Sequence, residues 1–220
     1  MRRTTFALAV ILLLVGLMPS AFAAEQEHKA IELPAPNMKG GMPLMEALRA
    51  RATSREYDSR DLPLQVLSDL LWAAFGVNRP EAGKRTAPSA MNWQETDIYV
   101  AMKSGLYLYN AVENILEPVL GEDLREATGM QPFVKDAPVN LVYVADLTKM
   151  GKADDEGKKT YAAADVGFIS QNVYLFCASE GLATVVRGYF DREKLSAAMK
   201  LGPDQHIVLT QTVGYPKQEE

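Results

Sequence analysis

One cysteine in 220 residues removes the disulfide from the ways this chain can hold its fold together. Cys177 stands in the apolar stretch 173–178, where a small buried thiol is expected rather than a reactive one. Histidine is almost as scarce. His28 lies in a polar segment and His206 opens an apolar run, which leaves too few imidazoles for a His-based metal centre or a Ser-His-Asp triad. Positive charge is in deficit: 23 Lys and Arg against 28 Asp and Glu give a net charge of −5. That balance argues against a nucleic acid or an anionic membrane surface as partner. No internal repeat is visible. Beyond the N-terminus, no apolar stretch approaches the roughly 20 residues a membrane span needs.

The apolar run that does exist is N-terminal and short. Arg2 and Arg3 precede the uncharged residues 6–18, Pro19 and Ser20 break the run, and Ala21-Phe22-Ala23 has the small-x-small form read by signal peptidase. Cleavage after Ala23 or Ala24 is expected, with an uncleaved anchor as the alternative. Loss of the two arginines would take the net charge from −5 to −7. The arginine pair also raises twin-arginine export, although Thr5 stands where that signal wants an apolar residue. The expected organisation is therefore a signal peptide over 1–23, a flexible lead-in over 24–41 and one domain over 42–220.

Periodicity then supplies the elements. Pro43 opens a short amphipathic helix, and Leu64, Leu67, Leu70, Leu71, Ala74 and Phe75 give a second one stopped by Gly76. Residues 78–92 read as a loop, and long loops in compact domains are often functional. The alternation at 98–102 and 106–109 around Lys103-Ser104-Gly105 predicts a β-hairpin. A short helix is expected at 123–128, a buried central strand at 140–145, and a charged loop at 152–159. Residues 161–180 form the longest helical pattern, apolar on nearly every side apart from Asp165, Gln171 and Asn172, and so expected to be buried all round. A short strand at 183–186, a helix at 192–200 and a strand at 207–213 complete an α+β order.

Four segments carry more specific information. They are Arg51-Ala52-Thr53-Ser54-Arg55-Glu56-Tyr57, then Arg85-Thr86-Ala87-Pro88-Ser89-Ala90-Met91-Asn92-Trp93-Gln94, then the stretch from Ala162 to Phe190 with Val186-Arg187-Gly188, and finally Val213-Gly214-Tyr215-Pro216. In this order and spacing they resemble the nitroreductase family of FMN-dependent flavoenzymes, over nearly all of the chain from Pro43 onward. The chain looks most similar to the azoline-oxidising, peptide-modifying dehydrogenase branch (SagB/ThcOx type). The resemblance implies a nitroreductase-like fold, with a central, mostly antiparallel sheet flanked by helices and FMN held at a homodimer interface.

It also implies roles. Arg51 suits the FMN phosphate, since guanidinium makes bidentate charge-assisted bonds, and Ala52 and Thr53 continue that turn. Arg55 corresponds to the basic residue near N1 and O2 of the ring, where positive charge favours the reduced flavin. Pro88, Ser89 and Ala90 allow close backbone approach, and Asn92 offers a donor and an acceptor for the N3–H and O4 edge. Val186, Arg187 and Gly188 correspond to the segment whose backbone N–H faces N5, the donor being the amide of Arg187 or Gly188. The family's C-terminal phosphate cation has only Lys217 as its equivalent, with Lys84 and Arg85 as candidate replacements. Ordinary roles stay open for each: a solvated helix end for the arginines, a turn amide for Asn92, a turn glycine for Gly188. Tyr57, Tyr107, Tyr109 and Tyr189 are candidates for the substrate face or for packing.

The expected function is an exported FMN-dependent oxidoreductase that passes a hydride through flavin N5 by a ping-pong mechanism to a small-molecule substrate. The electron donor is NAD(P)H or, because nicotinamides are scarce outside the inner membrane, a quinol or redox partner. The rivals are a non-catalytic flavin- or ligand-binding protein of the same fold, and an interaction protein that has lost the cofactor.

Overall fold

The computed structural model describes residues 28–218, so the signal peptide expected over 1–23 lies outside the described residues. The chain begins with β1 (Ile31–Glu32), α1 (Leu44–Ala50) and α2 (Leu64–Phe75). A small ribbon of β2 (Val77–Arg79) and β3 (Lys84–Arg85) follows. Next come β4 (Thr96–Met102), β5 (Gly105–Asn110), β6 (Ile115–Leu120) and β7 (Val139–Asp146). The long helix α3 (Asp155–Glu180) leads to β8 (Ala183–Arg187), α4 (Arg192–Ala198) and β9 (Gln205–Gly214).

Seven strands make one antiparallel sheet in the order β1-β6-β5-β4-β7-β9-β8, with β7 paired on both sides. Strand side chains alternate between faces, and in β7 both sets are apolar because both faces are covered. Leu141 and Tyr143 join Leu67, Leu70 and Leu71 of α2 and Val166, Ile169, Val173 and Cys177 of α3 in one core. Val142 and Val144 join Phe190, Leu195, Met199 and Ile207 in a second core beneath α4. The sheet is thus the middle layer, with α1, α2 and α3 on one side and α4 on the other.

Several elements differ from their sequence reading. Helix α3 starts six residues before Tyr161, inside the stretch expected to be a charged loop. Asp154 caps it, its side chain accepting from Gly157 N at 2.8 Å, and Asp155 and Glu156 face the positive end of the helix dipole. Nor is α3 buried all round. Asp165, Val166, Ile169, Ser170, Val173, Tyr174 and Cys177 face inward, whereas Tyr161, Ala163, Ala164, Gly167, Phe168 and Gln171 are exposed. The 78–92 loop contains the β2–β3 ribbon, and the helix expected at 123–128 is a 3₁₀ turn, Arg125–Thr128.

Strand β6 carries Pro118, a residue that speaks against a strand, but Pro118 is opposed only by Tyr107 next to a register shift. Part of the lead-in is fixed to the body of the fold. Ile31 and Glu32 pair with Leu116 and Ile115, and Leu33 is buried in the larger core. Further on, Ser179 Oγ accepts from Met42 N at 2.6 Å.

Candidate functional site

The turn after α1 is docked on the open edge of the sheet. β8 is the last strand, so one side of its backbone has no strand partner. Ser54 N donates to Thr184 O at 3.0 Å on that side, and Val186 N donates to the Tyr174 hydroxyl at 3.1 Å. The same hydroxyl is 3.0 Å from Thr53 Oγ1, and the Arg51 guanidinium lies 5.4 Å from the Tyr174 ring centre. Tyr174 of α3 therefore ties the Arg51–Thr53 turn to β8.

The register also selects between two amides. In an antiparallel strand the N–H and C=O of one residue point the same way and alternate along the chain. Thr184 and Val186 point to the open edge, so Ala183, Val185 and Arg187 face β9, where Arg187 is opposite Thr210. The next outward amide is that of Gly188. A Cβ there would meet only Leu209 Cδ2, at 3.7 Å, so the surface above Gly188 is open.

The Arg187 side chain turns away from this edge into the protein. It is buried, donating through Nη1 to Thr128 O at 2.9 Å and through Nη2 to Asn140 Oδ1 at 2.8 Å, while Nε has no partner. Among the described residues no carboxylate pairs with it, and burial pushes the guanidinium pKa down to about 10. Arg187 thus pairs with β9 through its backbone and serves the core through its side chain, which leaves the outward amide of this segment to Gly188.

Arg55 and Lys217 line one cleft. Lys217 N donates to Glu56 O at 3.3 Å just beyond the Tyr57–Pro216 bridge, and both cations line a cleft of about 560 Å³ with Tyr57, Phe133 and Asp136. Among the described residues neither Arg51 nor Arg55 forms an ion pair, so the turn presents positive charge to solvent. Arg85 is not available as a replacement: it donates to Gln94 Oε1 at 2.7 Å and to Phe75 O at 3.0 Å, and Lys84 lies exposed beside it on β3.

The second segment is held further along α3. Ala90 N donates to Asp165 Oδ2 at 2.9 Å, and Trp93 packs edge-on against Tyr161. Met91, Asn92 and Gln94 all have positive φ, at 51°, 57° and 49°. Ser89 Oγ accepts from Gln94 N, and Asn92 is exposed with Oδ1 accepting from Gln94 Nε2. Pro88 and Ala52 are exposed as well. Asp165 and Tyr174 are nine residues apart, which at 1.5 Å per residue is about 13 Å of helix. Among the described residues no hydrogen bond joins residues 51–55 to residues 88–92; α3 holds both.

Of the tyrosines, Tyr57, Tyr107 and Tyr109 are packed in the protein and Tyr189 is exposed. Cys177 is buried, and burial pushes its thiol up. Tyr174 and the buried carboxyls near Ala90 escaped the sequence reading. Asp165 left a trace as a polar residue in an apolar helix, whereas nothing marked the Tyr174 hydroxyl.

The residues fit a long anionic ligand with a flat ring: unpaired cations and a hydroxyl at one end, then an open strand edge with an outward amide and no side chain above it. Similarity points the same way. The profile described as Nitroreductase family matches residues 48–215. A protein of Methanocaldococcus jannaschii provisionally named a nitroreductase is 33% identical over 168 residues, 72% of this chain and 84% of its own. A crystal structure from Ralstonia eutropha JMP134, also provisionally named a nitroreductase, is 44% identical with a TM-score of 0.83, covering 87% of this chain and 91% of that one. The NADPH:FMN oxidoreductase of Vibrio harveyi shares the fold at 19% identity and a TM-score of 0.61, over 80% of this chain and 69% of that one.

Proposed function

Because this chain belongs to the nitroreductase family, we propose that it is an FMN-dependent oxidoreductase whose flavin lies along the open edge of β8. The observation that carries the reading is the assembly of Arg51, Thr53, Tyr174 and the outward Gly188 amide on one edge. When bound, FMN would supply the redox chemistry, the passage of a hydride from a donor and of two electrons to an acceptor in two ping-pong half-reactions. Arg51 and Thr53 hold the phosphate and ribityl end by charge-assisted and hydroxyl hydrogen bonds. Arg55, with Lys217 beside it, adds positive charge where negative charge gathers on the reduced ring. The outward Gly188 N–H would donate to the ring, and the missing side chain would let the ring approach. Ser89, Ala90 and Asn92 meet the flavin edge.

In this reading the protein is a homodimer in which each flavin is held by both protomers. The separation of the 51–55 turn from the 88–92 loop supports that arrangement. So do the exposed apolar side chains on α1 and α3, Leu44, Met45, Leu48 and Phe168. The leader pattern supports export, and an exported enzyme draws electrons from a quinol or redox partner, or oxidises its substrate.

The deciding measurement is the visible spectrum of the purified protein after incubation with FMN. Bound flavin bands at roughly 370 and 450 nm, bleached by a donor and restored by a quinone or nitroaromatic acceptor, are expected. A protein that stays colourless with excess FMN overturns the reading.

A further inference from the structure

Asp165 and Glu95 are two buried carboxyls that feel each other's charge, and among the described residues neither forms an ion pair. Asp165 lies on the inner face of α3, 3% exposed, and its Oδ2 accepts from Ala90 N at 2.9 Å. Glu95, immediately before β4, is fully buried; its Oε1 accepts from Thr96 Oγ1 at 3.2 Å and its Oε2 has no partner. The charged and titratable groups on the surrounding elements are engaged elsewhere. Arg85 of β3 binds Gln94 and Phe75, Lys149 holds Asp97 of β4, and Tyr161 of α3 packs on Trp93. Two ionised carboxylates in such a place would repel each other with neither hydration nor a counter-ion to offset the cost.

The loop they adjoin needs holding. Met91, Asn92 and Gln94 sit in the left-handed region, which most side-chain-bearing residues avoid, and three such residues in four persist only when the surroundings fix them. Its far end is fixed by Gln94, through Ser89 Oγ, Gly83 O and the Arg85 guanidinium. Its near end is fixed to the protein body by the Ala90–Asp165 bond.

We propose that Glu95 and Asp165 share one proton and, as a pair, position the Ser89–Asn92 loop for flavin binding. The proton rests on Glu95 Oε2, which then donates to Asp165, leaving Asp165 ionised to accept from Ala90. This accounts for the atom that otherwise has no partner. Both are positioning residues, and the proposal rests on the reading of this loop as part of the flavin site.

Both carboxyls are raised above their ordinary range, by burial first and, for Glu95, next by the charge of Asp165. An acid raised in the folded state contributes fully at pH below its unfolded value, and the contribution is lost as pH rises through the folded value. The lock therefore weakens on the alkaline side.

The test compares the natural chain with Glu95→Gln and Asp165→Ala, by FMN fluorescence titration from about pH 6 to about pH 9 and by amide hydrogen exchange at Ala90 in the flavin-free protein. Glu95→Gln keeps a donor to Asp165 but cannot titrate, so its FMN affinity should match the natural chain at the acid end and lose the alkaline decline. Asp165→Ala should expose the Ala90 amide to exchange and weaken FMN by about tenfold throughout, the loss of one hydrogen bond to a charged group. A Glu95→Gln profile that still follows the natural one overturns the proposal, as does unchanged Ala90 protection in Asp165→Ala. If the natural chain ignores FMN, the flavin reading falls while hydrogen exchange still decides the lock.

Discussion

At the scale of single residues, the candidate site depends on one absent side chain and one hydroxyl. Gly188 has room above it, and its nearest neighbour is Leu209 Cδ2 at 3.7 Å from a built Cβ. Gly188→Val should therefore leave the melting temperature nearly unchanged while raising the FMN dissociation constant by at least about tenfold, equivalent to about 1.4 kcal/mol. Equal FMN titrations for the two proteins would place the flavin elsewhere. Tyr174 does the converse, since its hydroxyl serves both the Val186 amide and Thr53. Tyr174→Phe leaves that amide unpaired and should cost about 1–2 kcal/mol in urea unfolding, with weaker FMN binding alongside. A variant as stable as the parent would show that water replaces the hydroxyl freely. Both glycine and arginine in the 186–188 stretch were legible as site residues. Their division of labour was not, because it depends on which way the β8 amides point.

At the scale of elements, α3 is the support on which the site is strung. It carries Asp165 for one loop and Tyr174 for the other, and its start is set by a capping carboxylate rather than by apolar periodicity. Asp154→Ala should lower stability by about 1 kcal/mol, read as a small drop in melting temperature, with the FMN site intact. An unchanged melt would mean the first turn frays in the natural protein too. The strands at 139–146 and 205–214 were readable from their composition, whereas the pairing of β1 with β6 was not. A two-residue strand has no period to detect, and Pro118 argues locally against its partner. Pattern finds elements that are long enough to repeat, and pairing decides the rest.

At the scale of the whole molecule, the proposed dimer would cover apolar side chains that α1 and α3 leave exposed. Phe168 is 50% exposed on α3, and Met45 is 75% exposed on α1, of which only Ala47 is buried. Phe168→Glu should move the protein from dimer to monomer in light scattering, raising the dimer dissociation constant by about a hundredfold or more through an unpaired charge in an apolar contact. FMN affinity should fall with it if both protomers hold each flavin. A natural chain that scatters as a monomer would sink that arrangement.

The sequence by itself determined the family, the α+β class, the lack of any internal disulfide and the segments proposed to bear the site, because these follow from residue types and their order. Tertiary structure decided what order cannot express. It put Arg55 beside Lys217, more than 150 positions later in the chain, and committed Arg85 to Gln94. It turned the Arg187 side chain inward and the Gly188 amide outward, and brought two buried carboxyls within reach of each other's charge. Each of these depends on a register, a face of a helix or a contact across the fold, and such relations exist only once the chain has closed on itself.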